Sequence, residues 1–142
     1  MFVTVVSKMH VWGTINPAGE CNDYEGYYYT QGEIDSCVAS NELVGKPVKV
    51  EHKGVSVGKV VSAWKNARGQ LDCLIDVDES VLEGAMATSF IANGVCRELS
   101  LGYVVEMRQS AGQAAKPVSK KVVEVSIVKK GARDTCFIHT TV

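Results

Sequence analysis

Alternation of apolar and polar residues dominates the chain and predicts strands more often than helices. Leu71, Cys73, Ile75 and Val77 fall on one side of a stretch whose other side carries Gln70, Asp72, Leu74 and Asp76, the period of two expected of a half-buried strand. Residues 55–64 repeat the pattern, with Val57, Lys59, Val61 and Ala63 against Gly58, Val60, Ser62 and Trp64. Residues 2–6, 11–15, 48–52, 98–108 and 120–128 are rich in β-branched and other apolar residues and read as further strands. Their punctuation is Asn16-Pro17-Ala18-Gly19, Gly54, Asn66-Ala67-Arg68-Gly69 and the Ser/Gly/Gln/Ala loop of residues 109–115. Four tyrosines between Tyr24 and Tyr29 fit a half-buried surface ribbon more simply than a strand at the lip of a groove.

Helical spacing is confined to two short segments. Thr30-Gln31-Gly32-Glu33 has the form of a capping box, followed by Ile34, Cys37 and Val38, which predicts a helix over 31–40. Val81, Leu82, Ala85, Met86 and Phe90 predict an amphipathic helix capped by Asp78 or Ser80 and stopped at Asn93-Gly94. Many strands with a few short helices, no repeat and no βαβ alternation make the fold class mainly β (α+β). The pattern suits a mainly antiparallel barrel or sandwich, and the expectation taken forward is an antiparallel, closed β-barrel with peripheral helices, formed by residues 1–142 as a single domain.

Bulk composition narrows the function rather than the fold. Hydrophobic residues make up 46% and charged residues 22% of the 142, within the ordinary globular range. A formal net charge of -1 removes the field expected of a protein that lives on a polyanion, so no nucleic-acid partner is expected; the lysines between Lys116 and Lys121 read as a solvated strand face. Five cysteines without a CxxC pair, and three histidines, lack zinc-ligand spacing, so neither metal nor cofactor is expected. Residues 1–8 lack a signal-peptide pattern and no apolar stretch is long enough to span a bilayer, which points to an intracellular protein without a membrane partner.

Three segments carry candidate chemistry. Val50-Glu51-His52 runs into Val57-Gly58-Lys59-Val60; Glu98-Leu99-Ser100-Leu101-Gly102-Tyr103 follows; Glu124-Val125-Ser126-Ile127-Val128 leads to Gly131-Ala132-Arg133. A serine hydroxyl is a weak nucleophile until an imidazole takes its proton and a third group orients that imidazole, so base, nucleophile, acid and arginine together suit acyl transfer. Each residue taken alone reads more simply as a strand or surface residue. Glu124 is the least ordinary, because a carboxylate on an apolar strand must find a partner or face water. A cysteine nucleophile, Cys96 or Cys136 with His52 or His139, is the rival within the same chemistry, although neither cysteine sits in a recognisable nucleophile context.

In order and context the three segments resemble the herpesvirus assemblin and tailed-phage prohead (capsid maturation) serine proteases. The match runs from Val44-Gly45-Lys46-Pro47 through His52, through Leu99-Ser100-Leu101-Gly102-Tyr103, to Glu124-Val125-Ser126-Ile127 and Gly131-Ala132-Arg133, covering roughly residues 44–138. The resemblance implies Ser100 as nucleophile, His52 as base and Glu124 as third member, where herpesvirus enzymes place a second histidine. It further implies an oxyanion hole from the Ala132 backbone N–H with Arg133, Ala132 standing where those enzymes have the first of two arginines. The implied function is an endopeptidase that cuts a viral scaffold protein, and possibly its own precursor, within an assembling capsid. A homodimer is implied too. The alternative is a catalytically inactive capsid or scaffold component that keeps the protease fold.

Overall fold

The computed structural model describes residues 8–16, 30–114, 116–131 and 136–141. The expectations for residues 2–6 and for Tyr24 to Tyr29 lie outside them, as do those for Ala132 and Arg133. Seven strands, β1 (Lys8–Asn16), β2 (Pro47–Val50), β3 (Lys53–Lys65), β4 (Leu71–Asp78), β5 (Glu98–Arg108), β6 (Lys116–Val128) and β7 (Ile138–Thr141), form one sheet in the order β5-β6-β2-β3-β4-β1-β7. Two helices, α1 (Gln31–Ser40) and α2 (Leu82–Ala92), complete the described elements.

The apolar side of β4 is buried as expected, with Leu71, Cys73, Ile75 and Val77 all completely buried, but the other side is not solvent-facing throughout: Asp72 is buried too and accepts from Thr14 Oγ1 (2.7 Å). They join Val11 and Ile15 from β1, Val57 and Val60 from β3, Leu99 and Leu101 from β5, and Val125 and Ile127 from β6 in one core. Burying apolar area at roughly 25 cal/mol per Å² makes this shared face the main source of stability and fixes the register of every strand that contributes to it. α1 begins where the capping box puts it, with Glu33 N–H donating to Thr30 Oγ1 (3.2 Å) and Thr30 N–H donating to Glu33 Oε1 (3.1 Å). Ile34 and Cys37 turn inward, and Lys120 of β6 reaches Glu33 at 2.8 Å.

Several expectations need correction. The sheet is mixed, not antiparallel throughout, because β2 and β6 pair in parallel with Val48 opposite Val125 and Val50 opposite Ile127. A parallel pair needs a long crossover, and here β3, β4, α2 and β5 all lie between the two strands. The barrel is not closed: β7 is short and pairs with β1, and among the described residues the two sheet edges are joined by the isolated Glu98–Phe137 bridge, just before β7, flanked by Leu99 N–H to Cys136 O (2.8 Å) and Ile138 N–H to Arg97 O (2.9 Å). α2 is not capped by Asp78 or Ser80; those two bond each other, and Val81 takes the cap position without a side-chain bond. Its buried face is also different. Gly84 and Ala87 point inward while Leu82 (72% exposed) and Met86 (47%) point out, because Gly84 packs directly against the main chain of Asp78, where a larger residue would not fit. β6 starts at Lys116, four residues before the expected start.

The β2–β3 hairpin turns earlier than its sequence suggests. Val50 pairs with Lys53, leaving Glu51 (φ 53°) and His52 (φ 59°) as a two-residue turn with both residues left-handed. His52 therefore sits at the tip of the turn, not at the end of a strand. This conformation is unfavourable for residues with a Cβ, and such positions cluster at functional sites.

Candidate active site

β5 and β6 form an antiparallel pair in which Ser100 lies opposite Ser126 and Gly102 opposite Glu124. Leu99, Leu101, Val125 and Ile127 face the core, so the period of two puts Ser100, Gly102, Glu124 and Ser126 together on the opposite face. The parallel β2–β6 pairing then brings the hairpin tip over that face. Glu51 N–H donates to Ile127 O (3.0 Å) and His52 N–H to Ser126 Oγ (3.0 Å), which anchors both turn residues to β6.

The structure places the three principal candidates in contact. Ser100 Oγ is 2.9 Å from His52 Nε2, and His52 Nδ1 is hydrogen-bonded to Glu124 Oε1. Glu124 Oε2 accepts from Ser126 Oγ at 2.6 Å. An acceptor-only carboxylate on Nδ1 requires the hydrogen there, which leaves the Nε2 lone pair of a neutral ring to accept from the Ser100 hydroxyl. Burial grades across the group: the Glu124 side chain is 8% exposed and the His52 side chain 35%. The ring is thus open to solvent while the carboxylate that orients it is not.

Two glutamates not singled out from the sequence tie the segment after β6 to the same region. Lys129 N–H donates to Glu51 Oε1 (2.7 Å), beside His52, and Gly131 N–H donates to Glu98 Oε1 (3.0 Å), two residues before Ser100. Ala132 and Arg133, expected to form the oxyanion hole, follow directly but lie outside the described residues. No local signal marks Glu51 or Glu98, since both act on a segment distant in sequence. Ser126 had a visible signal in its i, i+2 relation to Glu124, which puts both on one strand face.

The cysteine alternative is not assembled. His52 faces Ser100, and His139 has its Nε2 2.7 Å from Thr14 Oγ1 and its ring 4.5 Å from that of Trp12. Cys96 and Cys136 are buried, and burial, reinforced by the charge of Glu51, pushes the Cys96 thiol above its ordinary range. Among the described residues no group of three or more His, Cys, Asp or Glu could hold a metal ion, and no helix is long and apolar enough to cross a membrane.

Comparison with known proteins divides sharply between sequence and structure. No protein-family model matches the chain, and no curated protein sequence matches it. Among solved structures, the protease of Kaposi's sarcoma-associated herpesvirus in complex with a hexapeptide phosphonate inhibitor superposes over 96% of this chain, with a TM-score of 0.60 and 15% identity. The chain has the fold of the herpesvirus proteases. The same viral protease in complex with a dimer disruptor (TM-score 0.58, 14% identity, 94% of this chain) and the varicella-zoster virus protease (0.59, 14%, 94%) share this herpesvirus-protease fold. The chain spans 65%, 75% and 64% of the length of these three proteins, respectively. At such identity the likeness is one of fold, and the chemistry must be argued from the residues.

Proposed function

We propose that the chain is a serine endopeptidase of the capsid-maturation type. The observation that carries the reading is the run of hydrogen bonds from Glu124 through both ring nitrogens of His52 to Ser100 Oγ, the last at 2.9 Å. His52 removes the Ser100 proton as Oγ attacks a peptide carbonyl, and Glu124 orients the ring and stabilises the imidazolium that forms. The tetrahedral oxyanion is held by the Ala132 N–H and Arg133. His52 then protonates the departing amine, leaving an acyl-enzyme on Ser100. A water deprotonated by the same ring releases the second product.

The fold shared with herpesvirus proteases supports a viral scaffold protein as substrate, cut within an assembling capsid inside the cell. That a protease of this fold is targeted by a dimer disruptor supports a homodimer as the working state of this chain. The same protease binds a hexapeptide phosphonate inhibitor, which supplies the design of the test. The purified protein is treated with a peptidyl phosphonate or a fluorophosphonate and mapped by peptide mass. The expected adduct is on Ser100 and is absent from Ser100→Ala and His52→Ala. No adduct at protein concentrations where a dimer forms would overturn the reading in favour of an inactive capsid or scaffold component.

A further inference from the structure

Glu124 is held on both of its oxygens, and only one of the two partners belongs to the proposed proton path. Oε1 meets His52 Nδ1; Oε2 accepts from the hydroxyl of Ser126, 2.6 Å away. The same Ser126 oxygen accepts the main-chain N–H of His52 at 3.0 Å. These bonds close a cycle, from the His52 backbone to Ser126, to Glu124, and back to the His52 ring. Such a cycle constrains His52 at two points, its main-chain N–H through Ser126 and its ring Nδ1 directly, against a single carboxylate. Ser126 is completely buried, and its hydroxyl hydrogen and one of its acceptor lone pairs are committed to this cycle.

The fourth wall is an absent side chain. Gly102 lies opposite Glu124 in the β5–β6 ladder, and a Cβ on it would stand 2.0 Å from Glu124 Oε1 and 2.6 Å from the carboxyl carbon. The atoms in the way are the far end of a flexible side chain, not backbone. A methyl group at 102 would therefore be accommodated by swinging the carboxylate away, at the expense of the site and not of the strand pairing.

We infer that Ser126 and Gly102 are positioning residues: Ser126 locks the Glu124 carboxylate and the His52 turn into one unit, and Gly102 leaves the space in which that carboxylate meets His52. The inference rests on the proposed protease chemistry for its consequence, and on the hydrogen-bond cycle for its geometry. A serine that merely satisfied its own hydrogen bonds in a strand would affect stability without touching the ring. A positioning serine acts on the proton.

Two readouts separate these roles. In the first, phosphonate inactivation is followed to obtain the binding and inactivation steps separately. Ser126→Ala and Gly102→Ala are expected to lower the inactivation rate constant up to about 100-fold, the effect of misplacing a reacting group by about 1 Å, with inhibitor binding unchanged. Ser126→Thr, which keeps the hydroxyl, is expected to recover much of the rate. In the second, proton NMR of histidine-labelled protein follows the His52 Nδ1–H in its hydrogen bond to Glu124, and needs no activity. Its downfield resonance is expected in wild type, assigned by its absence in His52→Ala, and is expected to be lost or shifted upfield in both alanine variants. Ser126→Ala or Gly102→Ala proteins with the wild-type resonance and rate constant, whatever their melting temperature, would overturn the inference. A wild type that shows the resonance but takes no label would overturn the protease reading alone.

Discussion

The Glu124–His52 contact assigns a division of labour between shape and charge at a single residue. The carboxylate is almost fully buried, so it is worth its desolvation cost only while it faces the ring and the Ser126 hydroxyl. Glu124→Gln preserves the shape and removes the charge. An amide can present its NH2 to Nδ1, which stabilises the tautomer with the hydrogen on Nε2 and removes the lone pair that Ser100 needs. By the behaviour of other serine triads on the equivalent change, labelling of Ser100 should slow on the order of 10⁴-fold. Thermal stability should change far less than the rate, since the hydrogen-bond count is nearly conserved. A phosphonate labelling time course beside a melting curve checks both halves. A rate within tenfold of wild type would mean that Glu124 contributes little beyond packing.

At the scale of elements, the parts legible in the sequence are those set by neighbours along the chain. The capping box at Thr30 and Glu33 reads correctly because both partners lie within four residues, and the helix it starts runs over the expected span. Here the stability effect is local and simple: Thr30→Ala should cost about 1 kcal/mol, a fall of roughly 4 °C in melting temperature for a chain of this size, with labelling of Ser100 unaltered. Calorimetry beside the labelling assay checks it, and an unchanged melting temperature would mean that water replaces the cap. The alternation in β4 is equally local and equally visible. The hairpin tip is not. Glu51 and His52 take left-handed conformations because Ile127, Ser126 and Lys129, all from β6 or just beyond it, bond to them. A reading confined to neighbours places the turn at Gly54, where glycine is intrinsically suited to it. The face that α2 buries is hidden for the same reason, since periodicity favours Leu82 and Met86, whereas the approach to Asp78 selects Gly84. Ser100, His52 and Glu124 are legible only as an ordered set, since what joins them is the crossover that lays β2 beside β6.

For the whole molecule, the curled sheet wraps around a core in which Cys73 of β4 is a central member, completely buried between Gly13 of β1 and Ala63 of β3. Burial, and then the negative charge of Asp72, push its thiol far above the ordinary cysteine range, so it stays protonated throughout the pH range in which the fold is useful. An unfolded chain exposes the same thiol to water, where it ionises near pH 8.5 or so. Above that point the unfolded state binds fewer protons than the folded state, and by linkage stability falls as pH rises. The contribution from Cys73 should approach 1.4 kcal/mol or so per pH unit above about pH 9, and continue until the buried thiol itself ionises. Denaturant unfolding under reducing conditions at several pH values between about 8 and 10, the window in which a free thiol ionises, measures the slope. Lysines and tyrosines also begin to titrate there, so the comparison that isolates the thiol is Cys73→Ala. The variant should start less stable because of the small cavity it leaves, yet lose stability less steeply with pH. The two curves should therefore converge as pH rises. Parallel curves would mean that the thiol at the centre of the core is no harder to ionise than one in water, which complete burial among Gly13, Ala63 and their strands does not allow.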